Sequence, residues 1–171
     1  PIRLAQPPSA RALKAAVIAL FLLGTVHLAK QSYRANFIYY ADTRNPYVYG
    51  HTSTDMLKLA KRVEDLAKVS PQGHDMLIRV YASHAWPMPW YFRHFKHVGF
   101  WQEATDDVDA PVVITDDALE TEIRERLKGD YEVEYYGLRP EVLVTVFIRR
   151  DLWDAFIETR TGPKKETAGV K

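Results

Sequence analysis

At 171 residues the chain has room for one domain of ordinary size plus an anchor or a tail. Its 23 Lys+Arg against 22 Asp+Glu leave a formal charge of +1, without the basic stripe that a nucleic-acid partner demands. The absence of cysteine excludes disulfides, thiolate zinc sites and cysteine nucleophiles together. The first residue is Pro1, so a piece of a longer protein is expected.

Residues 1–12 form a flanking segment with Arg3 and Arg11, and residues 13–30 read as a transmembrane helix. Its uncharged core runs for twelve residues from Ala15 to Val26. A core of that length also suits a signal peptide or a buried helix. His27-Leu28-Ala29 is a poor cleavage site, and flanking lysines lengthen the span by snorkelling, so a membrane helix is the favoured reading. Basic residues fall on both sides and give no orientation.

Residues 31–44 continue as a helical connector rich in tyrosine, which suits a headgroup layer or packing onto the domain equally well. Asn45-Pro46 breaks the helix, and residues 45–158 are read as the α/β domain. Tyr47 to Tyr49 is a short strand candidate. Thr52 and Asp55 have capping-box spacing for a helix reaching about Lys68, with Met56, Leu59, Val63 and Leu66 as its apolar stripe.

Met76 to Tyr81 reads as a central strand, followed by a short helix at Pro89–His97 and a strand at Val98–Trp101. After the acidic loop Glu103–Asp109, Pro111–Thr115 is another buried strand, and Asp116-Asp117 begins a helix carrying Leu119, Ile123 and Leu127. Tyr131–Tyr135 alternates like a strand with one wet face. A turn at Gly137–Pro140 leads to a last strand, Val142–Ile148, and a short helix with Trp153 and Phe156. Residues 159–171 are expected to be a disordered tail. The fold class is therefore α/β: an N-terminal transmembrane helix, then a three-layer α/β sandwich with a mainly parallel sheet and a C-terminal hairpin.

No glycine-rich phosphate loop and no nucleophile elbow is present. His94-x-x-His97 lacks a nearby third ligand, and Asp106, Asp107 and Asp109 lack the glycine and terminal glutamate of a calcium loop, so no metal and no cofactor are assigned. Asp116 ends a strand, where α/β sheets place ligands, although helix capping explains it equally well. His51 and Asp55 are placed on the same sheet edge, as an acid–base pair or as a loop histidine and a cap. The strongest lead is Trp86 to Trp101, with seven aromatics beside Arg93, His94, Lys96 and His97. Flat rings next to cationic donors suit a sugar, a phosphate or a membrane interface, although the rings also suit a core. Substrate-binding candidates are thus His51, Asp55, Trp86, Trp90, Tyr91, Arg93 and Asp116; no catalytic residue is assigned.

N-P-Y-V-Y-G-H-T-S-T-D at Asn45–Asp55 and P-M-P-W-Y-F-R-H-F-K-H-V-G-F-W at Pro87–Trp101 resemble the C-terminal region of a family of polytopic membrane proteins. These are the flippase-activity-associated proteins of archaeal and bacterial surface glycosylation, related to the dolichyl-phosphate-mannose–protein mannosyltransferases of the GT-C class. Asn45, Pro46, His51, Thr52, Pro89, Trp90, Tyr91 and Arg93 match the family motifs. The resemblance implies a last transmembrane helix at Leu13–Ala29 and an extracytoplasmic domain at Asn45–Glu158 in a cell membrane. It further implies membrane lipid, a polyprenyl-phosphate sugar and the remaining transmembrane portion as partners. The catalytic acidic residue of such enzymes lies in an early loop outside this chain. A stand-alone carbohydrate- or envelope-binding module, or a purely structural domain, are the rival expectations.

Overall fold

The structure is a computed structural model that describes residues 9–42, 44–45, 48 and 51–161. The chain divides into two compact units, Pro1–Tyr49 and Gly50–Lys171.

In the first unit, α1 spans Ala10–Tyr33, capped by the Ser9 side chain, and runs into a π-helical turn at Arg34–Ile38. None of its residues is buried, and Phe21 is 72% exposed within an apolar run. An apolar helix that buries nothing within the chain has the composition of a membrane-spanning segment. From Lys14 to Lys30 it rises about 24 Å, and snorkelling lysines extend that toward a hydrocarbon core of about 30 Å. The helix Ala10–Ile38 is long and apolar enough to cross a membrane. Beyond it, Asp42 forms a two-pronged ion pair with Arg44, 2.7 Å at its shortest, whose hydrogen bonds hold the carboxyl down at about 2.

The second unit is a five-stranded sheet with helices on both faces. Its strands are β1 (Ile78–Tyr81), β2 (Val98–Trp101), β3 (Val112–Asp116), β4 (Tyr131–Arg139) and β5 (Val142–Arg149), in the order β2-β1-β3-β5-β4. Its helices are α2 (Thr54–Val69), the single turn α3 (Met88–Tyr91), α4 (Asp117–Arg126) and α5 (Arg150–Thr161). α2 lays Met56, Leu59, Val63 and Leu66 onto one face of the sheet, where α5 adds Leu152 and Phe156. Ile123 of α4 covers the other face with Tyr81, Val113 and Phe147.

The expected mainly parallel sheet is corrected to a mixed one. β1 pairs in parallel with β2 and β3, but β5 is antiparallel to both β3 and β4. The hairpin exists, yet its second strand inserts between β3 and β4. The reason lies in burial: Val144 to Ile148 are all buried, and only a central position covers both faces of such a run.

Three smaller expectations also change. Ser53, rather than Thr52, caps α2, because its amide donates to Leu138 O at 3.0 Å while its hydroxyl accepts from Asp55 N. The helix expected at Pro89–His97 is only the turn of α3. Gly137–Arg139 stays within β4, and the chain reverses at Pro140-Glu141, where Glu141 has φ 64°. Of the strand candidate Tyr47–Tyr49, only Val48 lies inside the described residues, and it belongs to no strand. Residues 162–171, and so nearly all of the expected tail, lie outside them.

Candidate functional site

The register of the sheet places the candidates. Tyr81 ends β1 opposite Thr115, Asp116 ends β3 opposite Val144, and Val144 faces Tyr136 on β4. The segments leaving β1 and β3 therefore emerge at the same end of the sheet as Gly137 and Leu138, to which the start of α2 is bonded. Asp116, the Ser83–Arg93 segment and Asp55 share this edge. β1 and β4 are separated by three strand spacings, about 14 Å.

Asp116 is buried, at 6% exposure, and works as a bracket. One carboxylate oxygen accepts from Leu119 N at 3.2 Å and so caps α4. The other accepts from Ser83 N at 2.9 Å and Ser83 Oγ at 3.0 Å. Ser83 Oγ also lies 3.0 Å from His84 Nδ1. The hydroxyl donates to Asp116, which leaves its oxygen lone pairs able to accept from the Nδ1–H tautomer of His84. Ser83 is thus an oriented hydroxyl in a loop brace. Both residues escaped the sequence reading; their place directly after a central strand was the available signal.

The segment that follows faces two ways. Pro87, Met88, Phe92 and Phe95 point inward and are buried. Trp86 and Trp90 keep 65% and 58% of their surface exposed, and Arg93, His94, Lys96 and His97 are exposed as well. Hydrophobic burial of Met88 and Phe92 fixes the turn, and the i, i+3 spacing then brings Trp90 and Arg93 together. The guanidinium carbon sits 4.3 Å from the Trp90 ring centroid, and Nη1 donates to Trp90 O at 2.6 Å. Nε and Nη2, the edge that grips a carboxylate or phosphate in two-pronged fashion, have no partner among the described residues. Tyr91 is half-buried against the main core.

Trp101 departs from the group. It alternates inward on β2, stacks on Tyr81 at 5.3 Å, and lies across Gly99, where an added Cβ would meet the indole at 2.0 Å. That ring is core.

Asp55 and His51 flank the Ser53 cap of α2. Asp55 bonds Lys58 at 2.7 Å and accepts from the Gly137 amide; Lys58 is the main reason its carboxyl lies below the usual range. His51 is exposed, two residues ahead of the Ser53 cap. The acidic loop is braced rather than convergent. Asp107 receives the Arg79 guanidinium at 2.8 Å, whereas Asp109 accepts from Lys128 N at 3.1 Å and Tyr131 Oη at 3.0 Å. Burial, helped by Asp109, pushes the Tyr131 hydroxyl up to about 12. Among the described residues no group of three His, Asp or Glu side chains is placed to hold a metal.

In the first unit, Gln31, Arg34, Ala35, Tyr39, Asp42, Arg44 and Asn45 line an open concavity of about 560 Å³. Arg34 there is spent on the Tyr39 hydroxyl at 2.8 Å, and Arg44 on Asp42.

The arrangement offers a rigid loop brace, two open indole faces and a free guanidinium edge. No family model, characterised relative or solved structure matches the chain.

Proposed function

We propose that the chain is the membrane-anchored outer part of a polytopic glycosyltransferase-like protein that acts in cell-surface glycosylation with polyprenyl-phosphate-linked sugars. α1 serves as its last transmembrane helix, and the β1–β5 domain lies on the extracytoplasmic side. Sugar transfer itself belongs to the other membrane helices. Trp86, Trp90 and Arg93 contact the lipid-linked sugar: an indole face covers the apolar face of a pyranose, and a guanidinium fork matches a phosphate.

The observation that carries this reading is the free Nε/Nη2 edge of Arg93, held over an exposed Trp90 ring at 4.3 Å. The two quoted motifs and an apolar helix long enough to span a bilayer support it.

Transfer kinetics of the complete membrane protein test the assignment. Arg93→Lys keeps the charge but loses the fork, so KM for the polyprenyl-phosphate sugar should rise about tenfold with kcat unchanged. Unaltered kinetics would remove Arg93 as a phosphate ligand and leave the domain a scaffold.

A further inference from the structure

We infer that the outward face of the Trp86–His97 segment docks on the anionic surface of the bilayer in which the chain's own α1 is anchored. This does not depend on the protein's transferring sugar. Three observations meet here.

First, Trp86 and Trp90 are open to solvent on a segment whose inward anchors, Met88 and Phe92, are buried, so the indoles are presented by a fixed turn. Two indoles exposed by more than half are costly in water and find their best environment at the headgroup level, where an amphipathic ring lies half in hydrocarbon.

Second, charge is segregated. From Ala82 to Gln102 there is no acidic residue, while Arg93, Lys96, His84, His94 and His97 all fall in that run and all are exposed. The carboxylate that comes nearest to opposing this from another element is Asp75, which pairs with Lys96 at 2.9 Å. Asp116, the other acidic group in contact with the segment, is buried and turned to Ser83. Arg93 therefore stands as an uncompensated cation beside Trp90, complementary to an anionic leaflet.

Third, a membrane is within reach. Only residues 39–53 separate the end of the apolar helix from the start of α2. A chain of that length extends at most about 50 Å, so the domain is held at high effective concentration near the lipid surface. A weak interfacial contact is then populated without the second lipid anchor that a free domain needs.

All four tryptophans, Trp86, Trp90, Trp101 and Trp153, lie in the second unit and none in α1, so with a tryptophan-free scaffold protein around the disc the emission reports on the domain alone. The full chain is reconstituted in nanodiscs of phosphatidylcholine with or without phosphatidylglycerol, the phosphatidylcholine being plain or brominated on the upper acyl chain. In discs containing phosphatidylglycerol, bromination is expected to lower the emission about twofold, as for rings at interfacial depth. Joint Trp86→Phe and Trp90→Phe substitution is expected to abolish that difference. Arg93→Glu changes the local charge by two and should lower the docked-to-undocked ratio about 25-fold.

Equal emission with plain and brominated lipid overturns the inference, as does equal quenching in discs lacking phosphatidylglycerol. Should a variant fail to fold by circular dichroism, the bromine comparison on the unsubstituted chain decides alone. An emission change on adding polyprenyl phosphate, without bromolipid quenching, also overturns docking while sparing the sugar-carrier reading. Bromolipid quenching with unaltered Arg93→Lys transfer kinetics does the reverse.

Discussion

Replacing Asp116 with alanine is expected to destabilise the α/β domain by about 3 kcal/mol, lowering its thermal midpoint by roughly 10 °C. Two losses add. The cap of α4 disappears with the bond to Leu119 N, worth about 1 kcal/mol. The Ser83 amide and hydroxyl then lose a buried carboxylate acceptor, worth about 2 kcal/mol more. Asp116→Asn separates the two. A single amide oxygen can face Leu119 or Ser83 but not both, so roughly half the loss is expected. The Ser83 brace also holds the segment leading to Trp86, and the alanine variant should lower the anisotropy of tryptophan emission below the unfolding temperature. A thermal shift under about 3 °C would show that the bracket does not hold this edge together.

Arg62→Ala should cost a similar amount, about 2–3 kcal/mol. Arg62 and Glu134 are only 20% and 18% exposed, and they share two bonds, at 2.8 and 2.9 Å. The guanidinium also lies over Phe156 at 4.7 Å and Trp153 at 5.5 Å, joining α2 to α5. Its removal leaves Glu134 mostly desolvated with the Tyr136 hydroxyl at 2.6 Å as its remaining partner. The 3–5 kcal/mol of a fully buried broken pair is discounted here for partial exposure. That environment already holds the Tyr136 hydroxyl up at about 12, through burial first and the glutamate second. Arg62→Met retains the stem that packs on the rings and should recover about 1 kcal/mol of the loss. Urea midpoints of the two variants check the order; equal values would assign the whole effect to the lost ion pair and none to packing.

Much of the domain was legible because its periodicities are local. The three- and four-residue spacing of Met56, Leu59, Val63 and Leu66 became the buried face of α2, and Val98–Trp101 became β2 with the expected bounds. Alternation in Tyr131–Tyr135 signalled a strand with one wet face; it lies in β4, with Tyr135 left exposed. Strand order was less legible, since pairing is decided by contacts remote in sequence. The continuous run Val144–Ile148 did carry a central-strand signal, but beside a hairpin turn it reads as an ordinary second strand. The cap moved from Thr52 to Ser53 for a similar reason: the bond to Leu138 O is tertiary.

At the site, the aromatic segment was visible by composition, but composition does not divide its rings. Only the structure separates Trp101, laid over Gly99 and packed against the core, from Trp86 and Trp90 on the surface. Asp116 was found for its position at a strand end, while its work as a bracket for Ser83 depends on a contact 33 residues away.

The central claim is that Trp86, Trp90 and Arg93 form a ligand surface for a phosphate-linked sugar lipid. Titrating the full chain in nanodiscs with a polyprenyl-phosphate sugar, while recording tryptophan emission, tests it most directly. A saturable change is expected that Trp86→Phe with Trp90→Phe abolishes and Arg93→Lys weakens about tenfold. An emission that stays flat, or a change that survives loss of both tryptophans, would contradict the account.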